Sequence, residues 1–143
     1  EEMPEFSQEN TEEVKQVFAA QYPNMNAQWD FEWGNYEADF FYSGTHAEWN
    51  MPMNHVEAEA FYTSGAKWIK TEFNVTGYYY TTTDQTVIPA AVRETIAREA
   101  GGRHVDEVKI YDVPQGETDY YRVEVENEPN DIYFSIGFDG AVL

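Results

Sequence analysis

The chain contains the same arrangement twice: a short amphipathic helix, followed by aromatic-rich segments in which apolar and polar residues alternate. Residues 11–23 begin the first copy and residues 88–102 begin the second. In both helices the apolar side chains recur at positions i, i+4 and i+8, which places them on one face. They are Val14, Phe18 and Tyr22 in the first helix, and Val92, Ile96 and Ala100 in the second. A helix with one apolar face must cover it with another element, so the repeat favours a layered fold.

Alternation with a period of two predicts the strands that follow each helix. In the first copy strands are expected over 28–33, 36–43, 55–62 and 67–75, with a tight turn at Gly34-Asn35 and a long loop or interrupted strand over 43–54. In the second copy strands are expected around 108–110, over 120–126 and over 132–138. Because most of the connections are short, consecutive strands should pair antiparallel.

The predicted fold class is therefore α+β. Two tandem repeats, each a helix plus an antiparallel meander, form one antiparallel sheet of roughly seven or eight strands, and both helices pack on one face of it. We expect one domain over 1–143, built of repeats 10–76 and 87–143. Residues 1–9 should form a flexible lead-in, with an N-cap at Asn10 or Thr11, and the aromatic residues 77–86 a connector with β character.

Net charge restricts the partners. Twenty-seven acidic residues against 8 basic ones give a formal charge of −19, which repels nucleic acids and anionic lipids. A basic protein, a cation such as Ca²⁺ and an uncharged surface remain candidate partners, and solubility alone is the other explanation of the charge. No apolar run is long enough for a transmembrane segment. The chain starts at Glu1, and we expect that an N-terminal segment was removed from a precursor.

The residues typical of catalysis form no recognisable motif. Cysteine is absent, the few serines lie in no nucleophile motif, and His46, His55 and His104 have no metal-ligand spacing. The carboxylate pairs Glu57/Glu59 and Glu124/Glu126 have strand spacing, which is typical of a solvated face. We therefore expect no enzyme, no catalytic residues, no cofactor and no metal site.

A protein-binding surface is the stronger hypothesis. If Val56, Ala58, Ala60 and Tyr62 face the helices, then Phe41 and Phe61 lie on the opposite face among acids. Exposed aromatic and methionine side chains suit protein contacts, and a second group is expected in the loop over 43–54. The candidate residues are Glu37, Asp39, Phe41, Trp49, Met51, Met53, Glu57, Glu59 and Phe61. The alternative is that these aromatics close the sheet edges or fill a second small core.

The order of motifs in the two copies resembles a known family. Val-x-x-x-Phe/Ile in a helix is followed by Tyr-x-Ala/Val-x-Phe/Val in a strand and a closing strand that ends in Ser/Asp-Gly. The matching pieces are residues 14–23, 36–40 and 64–68, and then 88–92, 121–125 and 138–140. This pattern is similar to the PepSY-like, β-lactamase-inhibitor-protein-like (BLIP-like) exported proteins of Bacteroidetes. The sequence departs from it in the lengthened segment 44–54 and in the helix exit at 100–102.

The resemblance implies an exported protein of the periplasm or cell surface, with lipid anchoring as one form of attachment. We therefore expect a non-enzymatic binding or inhibitory module that uses an acidic, aromatic, open sheet face on an unknown protein partner, for which a basic surface is a candidate. The alternative is a structural or assembly protein that self-associates through a sheet edge or through that face.

Overall fold

The computed structural model describes residues 8–81 and 85–143. Seven antiparallel strands form one sheet, and their order across the sheet is their order along the chain. The elements are α1 (Gln8–Gln21), β1 (Gln28–Glu32), β2 (Asn35–His46), β3 (Met51–Thr63), β4 (Trp68–Asn74), α2 (Thr76–Thr81), α3 (Ala90–Ala100), β5 (Val105–Asp112), β6 (Tyr120–Val125) and β7 (Ile132–Gly137). The predicted fold class is confirmed. The division into two repeats stays a prediction.

The core lies on one face of the sheet. The apolar residues of α1 and α3 belong to a single buried cluster with the inward residues of the strands, so both helices cover the same face. Under α1 the contacts are aromatic. The ring of Phe18 lies 5.0 Å from that of Phe40 and 5.5 Å from that of Trp29, both edge to face. The opposite face, which we call the outer face, carries the polar residues of the alternation.

Helix α1 begins earlier than the sequence indicated. It starts at Gln8, not after an N-cap at Asn10 or Thr11. Gln8 and Glu9 are good helix formers and extend the first turn, so the expected lead-in over 1–9 is wrong at its last two positions. Residues 1–7 lie outside the described part of the chain. At the end of α3, Gly101 adopts the left-handed conformation (φ 59°) that is common directly after a helix.

The segment 43–54 is not a long loop. Strands β2 and β3 continue as a hairpin to a turn at 47–50, and a bulge sets Asn54 and His55 of β3 opposite Ser43 of β2. The extra residue, at His55 (φ 53°), shifts the alternation by one. Val56 and Met53 therefore both face the core.

The first hairpin turns one residue earlier than expected. Glu32 pairs with Asn35, so the two turn residues are Trp33 and Gly34, with φ of 54° and 84°. Two positive φ angles match the twist of a tight hairpin. Trp33, which was expected in the strand with Trp29 and Phe31, leaves the core and is 90% exposed.

The expected β character of the connector is also wrong, because residues 76–81 form helix α2. Thr76 Oγ1 donates to Asn74 Oδ1 (2.7 Å) at its start. The Arg93 guanidinium donates to the carbonyls of Tyr78 (2.9 Å) and Tyr79 (3.1 Å), which the helix end would leave unpaired. Residues 82–84 of the connector lie outside the described residues. None of the described helices has both the length and the apolar composition to cross a bilayer.

Truncating Phe18 tests the aromatic core. We expect Phe18→Ala to lower the free energy of unfolding by about 3–5 kcal/mol, because it removes a buried ring and leaves a cavity between α1 and the sheet. Lys15→Ala, on the exposed side of the same helix, should change it by less than about 0.5 kcal/mol. Urea denaturation of both variants measures the two values. Equal losses would show that α1 does not pack through this stripe.

Candidate functional site

Six of the nine candidate residues lie together on the outer face, on neighbouring strands. Glu37, Asp39 and Phe41 of β2 stand opposite Phe61, Glu59 and Glu57 of β3. We call these six residues the acidic patch. No described helix covers it, because α1 and α3 pack on the other face. Its role in binding stays a prediction.

The other three candidates do not join the patch. Met51 and Met53 are each 4% exposed and face the core, so the expectation of exposed loop methionines is wrong. Trp49 is half-buried. Its ring stacks on His46 at 3.6 Å between centroids, and its Nε1 donates to Asp119 Oδ2 at 2.7 Å. The hairpin that carries these residues folds back over the core, because the bulge at His55 turns its apolar side inward.

Three carboxylates crowd together inside the patch. Oxygens of Glu37, Asp39 and Glu59 lie within 4.8 Å of one another. A hydrogen bond with Asp39, partial burial and the nearby Glu59 carboxylate raise the pKa of Glu37 to about 8. Like charges this close disfavour full ionisation, so the group retains a proton at neutral pH. Lys109 Nζ, 3.8 Å from Glu59 Oε1, is the one ammonium group that the described ion pairs bring to these three carboxylates.

The middle of the outer face is balanced, in contrast. Lys70 Nζ lies 2.7 Å from Glu72 Oε2, and Lys109 Nζ lies 3.0 Å from Glu72 Oε1. Burial alone would raise the pKa of Glu72, but these two ammonium groups outweigh it and lower the pKa. Lys70 also sits 4.9 Å from the ring centroids of Phe61 and Tyr111. The strands β1–β3, in contrast, contain no lysine or arginine.

A shallow groove runs from the patch toward β5. Its volume is about 610 Å³. Five carboxylates and a single amine contribute to its lining: Asp39, Glu57, Glu59, Glu72, Glu107 and Lys109. Phe41, which also lines it, is 53% exposed and stacks on the His55 ring at 4.3 Å between centroids. The groove offers an apolar surface and several acids to one ligand.

Sequence reasoning missed Trp33 as a surface residue. Its turn and the residues Asp30, Glu32, Glu37 and Phe61 line a smaller cleft of about 230 Å³ at the end of the patch. A tryptophan with positive φ is unusual and needs support from the turn. The signal was available, since a two-residue hairpin favours glycine at its second position and Gly34 follows Trp33.

Two further groups within the described residues bring possible metal ligands within 4.8 Å of one another. Asp106, Glu124 and Asp131 meet on the β5–β7 side. His46, Glu48 and Asp112 meet where the β2–β3 hairpin approaches the end of β5, and this group contains an imidazole. It lies on the helix-covered side of the sheet, because His46 pairs with the inward Met51 and Asp112 pairs with the buried Thr71.

Comparison with known proteins supports the fold. No family model matches the sequence, and no curated protein matches it. Three similar solved structures each cover 92% of this chain. They are a DUF2874 family protein from Bacteroides ovatus (17% identity, TM-score 0.69, 82% of that chain covered), a BLIP-like protein from Bacteroides fragilis (19%, 0.69, 82%) and a protein from Bacteroides eggerthii assigned provisionally to the periplasm (22%, 0.67, 84%).

The TM-scores of 0.67–0.69 establish a shared fold. The BLIP-like half of the resemblance drawn from the sequence is supported at that level, whereas none of the three is described as PepSY-like.

The shared proton gives a pH prediction. Glu37 has a higher pKa folded than its ordinary value of 4.5, so its contribution to stability is full below that pH and is lost as pH rises through about 8. The free energy of unfolding of Glu37→Gln should therefore rise relative to wild type between pH 4.5 and pH 9. Urea denaturation across this range measures the difference.

The matched control is Glu13→Gln, which removes one carboxylate from the exposed side of α1. It should follow the wild-type pH profile throughout. A constant difference between Glu37→Gln and wild type at all pH values would contradict proton sharing in the patch.

Proposed function

We propose that this protein is a non-enzymatic, exported binding module, and that its acidic patch and the adjoining groove hold a basic segment of a partner protein. The observation that carries the proposal is a sheet face that no described helix covers, on which acids outnumber bases beside the exposed ring of Phe41. Polar and aromatic groups together are typical of protein interfaces.

Electrostatics favour a cationic partner. At neutral pH the trio Glu37, Asp39 and Glu59 keeps a proton because its carboxylates lie close together and hydrogen-bond to one another, and Lys109 approaches only Glu59, at 3.8 Å. A lysine or arginine from a partner would supply further positive charge and displace the proton. The charge of −19 would also speed the encounter with a basic protein at low ionic strength.

The aromatic rings suit the same partner. Lys70 already lies over Phe61 and Tyr111, so ammonium–ring contacts form on this face. Phe41 and Trp33 present rings with no such cation among the described residues. A basic segment laid along the groove would bring its side chains to Phe41 at one end, and Trp33 lies beyond the other end of the patch.

Fold neighbours support the location and the class. The Bacteroides eggerthii protein is assigned provisionally to the periplasm, and the Bacteroides fragilis protein is BLIP-like. We infer from these that the chain acts in the periplasm and that inhibition of a bound enzyme is one form its binding could take. Fold alone does not carry function, so the patch has to be tested directly.

Self-association through a sheet edge is the second candidate. Strand β1 pairs on one side only, with β2. The outer edge of β7 is partly covered, because the amides of Gly137 and Leu143 bond to Ala141 O (2.8 Å) and Ser135 O (2.9 Å). Pairing of two β1 edges would bring Asp30 and Glu32 beside their copies, and this repulsion favours the binding module.

Charge reversal in the patch tests the proposal. The probe is a fluorescein-labelled octalysine peptide, followed by fluorescence polarisation. Glu37→Lys combined with Glu57→Lys should weaken binding at least about tenfold, because each close charge contact is worth about 1 kcal/mol even in water. An octaglutamate peptide should not bind.

The matched control is Glu94→Lys with Glu99→Lys, two exposed positions on α3 that change the net charge by the same amount. This variant should lose less than about twofold in affinity. An equal loss of affinity in both variants would show that octalysine binding depends only on the net charge of the protein. The assignment of binding to the patch would then be wrong.

Light scattering across a concentration series separates the two candidates. The binding module should stay monomeric at every concentration and salt level, because each chain carries the same strong negative charge. A dimer whose population rises with salt would instead show that screening allows the edges to pair, and would favour the assembly protein.

A further inference from the structure

His46, Glu48 and Asp112 form a cluster that the acidic patch does not use. His46 ends β2, Glu48 lies in the hairpin turn and Asp112 ends β5, 66 residues along the chain from His46. His46 Nε2 lies 2.8 Å from Asp112 Oδ2, and one ligand atom from each of His46, Glu48 and Asp112 lies within 4.8 Å of the others. Imidazole nitrogen and carboxylate oxygen are both zinc ligands.

The carboxylate of Asp112 is incompletely paired. Asp112 is 5% exposed, and its Oδ1 has no hydrogen-bond donor among the described residues. A buried carboxylate oxygen without a donor or cation carries a large desolvation cost. The fold nevertheless keeps an acid here, opposite Thr71 and close to Tyr22 and Tyr42. Burial raises the pKa of both phenols most, and the charge of Asp112 raises it further.

The imidazole is held in one orientation. It stacks on Trp49 with an angle of 5° between the rings, and Nδ1 accepts a hydrogen bond from the Trp49 amide at 3.4 Å. Trp49 is fixed in turn by Asp119, whose Oδ1 accepts from the Val113 amide at 2.8 Å. Because Nδ1 is an acceptor, Nε2 carries the proton and faces Asp112. A ligating histidine instead donates its second ring N–H, so cation binding needs the other tautomer, and the stacking on Trp49 is the contact that keeps the ring in place.

A cleft gives access to these three side chains. It has a volume of about 540 Å³ and is lined by His46, Glu48 and Asp112 together with Tyr42 and Trp68. A cation held by the three residues would have a free coordination position toward the cleft, which water can fill.

We propose that His46 Nε2, the Asp112 carboxylate and the Glu48 carboxylate bind one zinc-class divalent cation. On binding, the imidazole proton moves through solvent from Nε2 to Nδ1, Nε2 gives its lone pair to the cation, and the 3.4 Å hydrogen bond from the Trp49 amide to Nδ1 is given up. Zinc bonds of about 2.0–2.1 Å set tetrahedral ligands about 3.3 Å apart. The present 2.8 Å therefore has to widen by about half an ångström, within the reach of small side-chain rotations.

Binding would tie the β2–β3 hairpin to the end of β5. Among the described hydrogen bonds between these regions, the His46–Asp112 contact already makes that link. A cation that binds only the folded protein stabilises it by mass action. The site is independent of the acidic patch, which lies on the other side of the sheet.

Isothermal titration calorimetry with zinc chloride tests the site, in excess Mg²⁺ to occupy exposed acids. We expect one zinc per chain and a rise in melting temperature. His46→Ala and Asp112→Asn should each weaken binding at least about tenfold, consistent with loss of one of three ligands. Glu48→Gln, at an exposed turn position, keeps the test valid if the buried variants do not fold.

His104→Ala is the matched control. His104 is exposed and near Asp106, so its loss removes a histidine–carboxylate pair from a different place. It should leave zinc affinity unchanged. The proposal is overturned if zinc fails to bind in excess Mg²⁺, if Glu48→Gln and His46→Ala bind as tightly as wild type, or if His104→Ala abolishes binding.

Discussion

The packing of α1 and α3 on a single face of the sheet is the constraint on which the rest of the structure depends. In an antiparallel sheet successive side chains point to opposite faces, so covering one face with helices assigns every second residue to the core. Phe18, Phe40 and Trp29 interlock there. The remaining residues stand on the outer face, where acids and exposed rings can gather without loss of core packing.

The outer face divides by charge. Glu72 is shared by Lys70 and Lys109, and this buried network neutralises the middle of the sheet. The outward residues of the first three strands include no lysine or arginine, and Lys109 of β5 approaches only Glu59, at 3.8 Å. The hydrogen bond with Asp39 raises the pKa of Glu37, so the trio Glu37, Asp39 and Glu59 retains a proton. Asp106, Glu124 and Asp131 also crowd together on the β5–β7 side, but Lys109 and Arg122 lie on those strands.

The alternation of residues was sufficient to predict most of the fold. It placed Val56, Ala58, Ala60 and Tyr62 inward and Phe41 and Phe61 outward, as the structure shows. It failed where one residue changes the phase. The bulge at His55 turned Met51 and Met53 inward, and the earlier turn released Trp33. A pattern with a period of two does not reveal where a bulge inserts an extra residue into a strand.

Contacts between residues far apart in the chain could not be predicted from the sequence, for a different reason. His46 and Asp112 are 66 positions apart, and no local spacing joins them. Helix α2 forms from β-prone residues because the Arg93 guanidinium, 14 and 15 positions later in the chain, donates hydrogen bonds to the carbonyls of Tyr79 and Tyr78. In α2 a tertiary contact overrides local propensity.

The most direct test of the account is a nuclear magnetic resonance titration of the ¹⁵N-labelled protein with octalysine. If the helix-free face is the binding surface, the largest amide shift changes fall in β2 and β3, around residues 37–41 and 57–61, while the amides of α1 and α3 stay in place. Shift changes centred on the helices, or spread evenly over the acidic surface, would contradict it.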